Sequence, residues 1–155
     1  MSLPPRDSQQ LERARRSGEA GMTIIELLAV LAIMSSLASI AIPKYRQFVE
    51  AARVAHAIGD IQAIETTLDT RDSLPNGLAG LGVPQNDPWG RPYVYVKFPN
   101  AAPRVDRFGI QVNTTYDLYS LGKDGATATS LDAGASFDDV VRANDGGFIG
   151  LGSRY

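Results

Sequence analysis

Carboxylates are the residues of this chain that could do chemistry, and they stand in two settings. One is a single side chain, Glu26, inside the otherwise uncharged run of residues 22–42. The other is the end of the chain, where residues 108–150 hold six aspartates against Lys123 and Arg142. Acids gathered on loops repel unless water or a cation separates them, and hard oxygen ligands of this kind suit calcium. Composition alone leaves a calcium loop and a solvated acidic loop equally open around Leu121-Gly122-Lys123-Asp124-Gly125-Ala126 and Phe137-Asp138-Asp139-Val140. Asp124-Gly125 lacks the acidic spacing of an EF-hand.

Other chemistries find little to work with. The chain has no cysteine, which excludes a disulfide framework, a thiolate nucleophile and a cysteine-ligated metal. Its single histidine, His56, has no second histidine to share a metal and reads as a packing or surface residue. Gly122-Lys123 is followed by Asp and lacks the upstream glycine of a phosphate loop, and no nucleophile–base arrangement stands out. An enzyme is therefore not expected. Net charge is -2, so no nucleic-acid partner is expected either.

The elements that must position these acids start with the apolar run. It is long enough, at about 20 residues, to cross a hydrocarbon core as a helix, although Glu26 would cost roughly 2.5–3.5 kcal/mol at a bilayer centre and less near an interface. Arg13, Arg15 and Arg16 before it favour a cytoplasmic N-terminus. A secretory signal cleaved near Ala41 is the alternative, with Glu26 against it. Pro43 should kink or loosen the helix. Beyond it Val54, Ile58, Ile61, Ile64 and Leu68 form an amphipathic stripe. One helix over residues 22–69 would span on the order of 70 Å.

Residues 70–155 read as a head. Breakers at Pro75, Gly77, Gly80, Gly82 and Pro84 leave room for one helical turn, and Asp87-Pro88-Trp89-Gly90 reads as a turn with Trp89 at the core edge. Strands are expected at residues 93–98 and 115–120, with residues 108–112 as a third. The expected fold class is α+β: a long N-terminal helix, transmembrane in its first half and amphipathic in its second, packed against a small antiparallel sheet.

Two sets of residues carry a family resemblance. Gly21-Met22-Thr23-Ile24-Ile25-Glu26-Leu27, with Pro43 beyond the apolar run, resembles the class III prepilin signature. Asp87-Pro88-Trp89-Gly90, Tyr119-Ser120-Leu121-Gly122-Lys123-Asp124-Gly125 and Asp138-Asp139 are similar, in order, to landmarks of the major pseudopilins of type II secretion systems, within the type IV pilin-like superfamily.

The resemblance implies a leader of residues 1–21, a transmembrane and polymerisation helix of residues 22–43 and a periplasmic head of residues 44–155. A prepilin peptidase would cleave after Gly21, and Met22 would become the N-methylated terminus. Glu26 of one subunit would neutralise the Met22 amine of its neighbour, because an unpaired charge in an apolar setting is costly. Implied calcium ligands are the side chains of Asp124, Asp138 and Asp139 and the carbonyls of Leu121 and Ala126. The loop before Asp138 is longer than the family usually shows, which leaves Asp132 and Asp145 as substitutes. Implied partners are further copies in a homopolymer, minor pseudopilins, and an inner-membrane assembly platform with its ATPase. The implied role is a periplasmic pseudopilus supporting export across the outer membrane. A type IV pilin for adhesion, motility or DNA uptake, and a signal-anchored periplasmic metal-binding domain, are the alternatives.

Overall fold

The computed structural model describes residues 21–99 and 101–155, so the expected leader lies outside the described residues except for Gly21. Helix α1 spans Ile24–Asp69. Thr23 opens it: its carbonyl accepts the Leu27 N–H at 3.1 Å and its Oγ1 accepts the Glu26 N–H at 3.3 Å, the work of an N-cap residue. Thr23 and Glu26 also stand at the Thr-x-x-Glu spacing of a capping box. Within the apolar run the hydroxyls of Ser35, Ser36 and Ser39 donate to the carbonyls of Leu31, Ala32 and Ser36 at 2.7, 3.0 and 2.7 Å. Hydroxyls satisfied by their own helix need no water. Pro43 lies inside α1, which continues through it, and its missing N–H deprives the Ser39 carbonyl of a ladder donor.

The chain divides into two units between Tyr45 and Arg46. In the first, every Met, Ile, Leu and Val of residues 22–42 is at least 40% exposed. Among the described residues α1 is the helix long and apolar enough to cross a membrane.

In the second unit α1 becomes one-sided. Ala57, Ile61, Ile64 and Leu68 are essentially fully buried, with Val54 and Ile58 at the margin. They meet a four-stranded antiparallel sheet in sequence order: β1 (Val94–Lys97), β2 (Tyr116–Ser120), β3 (Val140–Ala143) and β4 (Phe148–Leu151). Val94 pairs with Tyr119, Ser120 with Val140, and Val140 with Leu151. Tyr116, Leu118 and Val140 join the helix stripe in one core. The opposite face carries a smaller core of Val112, Leu131, Val141 and Ala143.

Acids beside the helix stripe tie it to the head. Trp89 Nε1–H donates to Glu50 at 3.0 Å, Tyr93 O–H to Asp60 at 2.8 Å, Arg142 Nε–H to Glu65 at 2.6 Å and Tyr116 O–H to Asp69 at 3.3 Å. Trp89 thus packs at the core edge as expected. His56 stands on the surface, 69% exposed, with its ring 3.6 Å from Asp60.

Residues 108–112 differ from expectation. They form no named strand: Phe108 to Ile110 close a turn, held because Asp106 Oδ1 accepts the N–H groups of Phe108 and Ile110, both at 2.8 Å, and Gln111 pairs only in an isolated bridge with Val105. Asp87 organises its own turn in the same way, Oδ1 accepting from Trp89 and Arg91 at 3.0 and 2.8 Å. In each turn the glycine, Gly90 or Gly109, takes a positive φ. The third and fourth strands lie instead at β3 and β4, in the segment whose sequence reads as an acidic tail.

Candidate functional site

The N-terminal site is the start of α1. Met22 is 60% exposed, and the Glu26 side chain makes no hydrogen bond or ion pair among the described residues. Glu26 therefore contributes its backbone N–H to the cap, and its carboxylate is uncommitted among the described residues.

In the head, Asp87 joins the two motifs that sequence places far apart. Its Oδ2 accepts the Ser120 O–H at 2.5 Å, and Ser120 Oγ accepts the Gly122 N–H at 3.1 Å. Arg91, beside the Asp87 turn, donates to the carbonyls of Gly122 and Lys123 at 2.5 and 3.2 Å. These contacts pin the loop of residues 121–126 to the end of β2. Gly122 is required there: its φ is +62°, and a Cβ would run into the Asp138 carbonyl.

Of the five implied calcium ligands, Asp124 and Asp138 are in contact, and Leu121 and Ala126 stand in the same loop as Asp124. Asp124 N–H donates to Asp138 Oδ2 at 2.9 Å, Asp124 Oδ1 accepts the Ala126 N–H at 2.8 Å, and the Leu121 carbonyl accepts the Gly125 N–H at 3.1 Å. Asp124 is exposed and Asp138 half-buried, and each keeps a carboxylate oxygen free of protein hydrogen bonds. Free carboxylate oxygens of this kind suit a hard cation, whereas the Leu121 carbonyl already accepts the Gly125 N–H.

Asp139 faces a different environment. It is fully buried, and its Oδ2 accepts from Arg104 at 2.7 Å and from the Thr127 hydroxyl at 2.6 Å, while Oδ1 is buried without a partner. Burial pushes its carboxyl above the ordinary carboxylate range, against the pull of Thr127 and Arg104. The two substitutes stand elsewhere. Asp132 lines a cavity of about 410 Å³ with Asp106, Phe108 and Tyr155. Asp145 accepts from Thr114 N–H at 2.9 Å, Thr114 Oγ1–H at 2.6 Å and Thr115 Oγ1–H at 3.3 Å. Burial alone would raise the Asp145 carboxyl; these bonds and the Arg142 charge outweigh it and hold it below its usual value. Among the described residues, no three His, Cys, Asp or Glu side chains gather as a metal-binding group.

Sequence reasoning missed the two buried arginines. Arg142, 3% exposed, reaches Glu65 at 2.6 Å and Asp145 at 3.6 Å, and its guanidinium lies 4.1 Å over the Tyr116 ring. Asn113, also buried, donates to Asp117 and to the Arg142 carbonyl, both at 2.9 Å. The available signal was an arginine inside a Val-Val-x-Ala strand, where a buried charge must be paired.

No protein-family model matches the chain, and no solved structure matches it. It is similar to the type II secretion system core protein G of Pseudomonas aeruginosa, with 31% identity over 137 residues, covering 72% of this chain and 88% of that protein. That coverage takes in most of both proteins, and the one long helix packed on a four-stranded antiparallel meander is the pilin-like fold expected of such a relative. The chain belongs to the family of type II secretion system core protein G, the major pseudopilins.

Proposed function

We propose that this chain is the structural subunit of a type II secretion pseudopilus. After cleavage between Gly21 and Met22 by a prepilin peptidase and N-methylation of Met22, it is held in the inner membrane by residues 22–43 with its head, residues 44–155, in the periplasm. Copies then polymerise through α1 into a fibre that supports export across the outer membrane, assembled by an inner-membrane platform with its ATPase and joined by minor pseudopilins. The subunit itself catalyses nothing.

The observation that carries this reading is the Glu26 carboxylate, uncommitted among the described residues, at the start of the apolar run of residues 22–42, whose large side chains are all exposed. Such a face is stable only in lipid or against further helices. An acid among them needs a cation, which the Met22 amine of a neighbouring copy supplies. The test is complementation in a secretion-competent strain lacking its own major pseudopilin. Restored export is the expected result; surface fibres without restored export would instead identify a type IV pilin.

Calcium is the cation proposed for the head, held by Asp124 and Asp138 with the Leu121 and Ala126 carbonyls, Asp139 having only Oδ1 uncommitted. A ligand that binds only the native state raises its stability. Millimolar calcium should therefore raise the thermal midpoint of the protein, followed by its single tryptophan, Trp89, and Asp138→Ala should remove that rise. An unchanged wild-type midpoint would remove the metal site.

A further inference from the structure

A fully buried carboxylate with no positive partner is strongly unfavourable, and Asp139 is fully buried. The head supplies its own partner. Arg104 Nη2 donates to Asp139 Oδ2 at 2.7 Å, to Ser136 Oγ at 3.1 Å and to the Ala128 carbonyl at 3.2 Å. Its guanidinium lies 4.2 Å from the centre of the Tyr119 ring, and its backbone N–H donates to Asp117 Oδ2 at 2.8 Å. The side chain is 6% exposed and is held through Nη2, with Nε and Nη1 buried without hydrogen-bond partners among the described residues. It also ties the Thr127–Ser136 loop back onto the start of β3, since Thr127 shares the Asp139 oxygen and Ser136 Oγ accepts the Ala128 N–H at 3.1 Å.

We propose that Arg104 is the resident counter-cation of Asp139, so that this end of the head closes without a divalent ion. Calcium at the loop of residues 121–126 then adjusts stability without being needed for folding. A dication drawn to Asp139 would face the guanidinium across one buried carboxylate, and like charges in a low-dielectric setting repel. The ion is left to Asp124 and Asp138, which water can reach. Charge balance at Asp139 holds whether or not calcium binds, whereas the adjusting role rests on the calcium reading above.

The experiment is thermal unfolding of the full chain in detergent, followed by Trp89 fluorescence, in EDTA and in millimolar calcium. Wild type is expected to unfold in one cooperative transition in EDTA. Arg104→Met should melt lower in EDTA by roughly 10 °C or more and should gain more from calcium than wild type does. Arg104→Lys, which keeps the charge and loses the planar fork, is the milder variant. It should melt above Arg104→Met in EDTA and respond to calcium about as wild type does. Loss of the wild-type transition in EDTA would overturn the proposal, as would Arg104→Met behaving as wild type in both buffers, or Arg104→Lys, which keeps the charge, melting as low as Arg104→Met in EDTA. A wild-type head that folds in EDTA and ignores calcium, with the Arg104 variants still destabilised, would support Arg104 while removing the calcium site, so the two readings fail separately.

Discussion

Replacing Arg142 with methionine should lower the thermal midpoint of the head by roughly 12–20 °C, the equivalent of about 3–5 kcal/mol for breaking a buried ion pair. The guanidinium is 3% exposed and holds Glu65, itself 15% exposed, at 2.6 Å. Methionine preserves much of the volume against Tyr116, but it strands the Glu65 carboxylate and removes the donors to the Asn113 side chain and the Tyr116 carbonyl. The effect is large because Arg142 stands on β3 and Glu65 on α1, so one contact fastens the sheet to the helix. Arg142→Lys should lose less, since a lysine can keep the charge on Glu65 without the guanidinium's several donors. Circular dichroism melts check both variants. A methionine variant within a few degrees of wild type would mean that the pair contributes specificity and little stability.

Glu26→Ala should leave membrane insertion intact and abolish or disorder the fibres. Among the described residues the Glu26 side chain is uncommitted, and the cap at the helix start uses the Thr23 hydroxyl and the Glu26 backbone, both of which survive the substitution. Removing a carboxylate from an apolar segment makes insertion easier, by up to roughly 2.5–3.5 kcal/mol at full depth and less near an interface. Failure of assembly would therefore report the lost pairing with a neighbour's Met22 amine and not a defect in the anchor. The readout is membrane fractionation together with electron microscopy of fibres from cells producing the variant. Fibres of normal number and order would remove Glu26 from assembly.

The helix was legible because its two signals are strong and separate: an unbroken apolar run, then residues recurring at helical spacing. Ala57 escaped notice because a methyl group adds little to such a stripe, yet it is fully buried where the sheet comes close. The strands at Val94–Lys97 and Tyr116–Ser120 announce themselves by β-branched and aromatic residues. Val140–Ala143 does not, because all four of its residues are buried and alternation disappears when both faces are covered. Arg142 within it looks like a surface residue until its partners on α1 and in the loops are known. Residues 108–112 misled in the opposite direction. Their alternating apolar pattern suits a strand, but the Asp106 side chain takes the backbone donors that a strand would have offered to a neighbour.

The site was legible as landmarks and not as a network. The Asp87 turn and the loop of residues 121–126 carry the family resemblance, but their joining through Ser120 and Arg91 depends on the sheet that brings them together. Asp138 and Asp139 are adjacent in sequence and opposite in circumstance, one bonded to the Asp124 N–H and the other to a buried guanidinium. Asp138 lies in the bend that precedes β3 and Asp139 directly against its first residue, so adjacency in sequence did not reveal this division.

The most direct test of the pseudopilin account is the mature N-terminus, read by intact-mass and peptide mass spectrometry of the protein purified from membranes of cells that contain a prepilin peptidase. The account predicts a chain beginning at N-methylated Met22. A chain beginning at Ile42, or one still carrying Met1 after exposure to the peptidase, would contradict it.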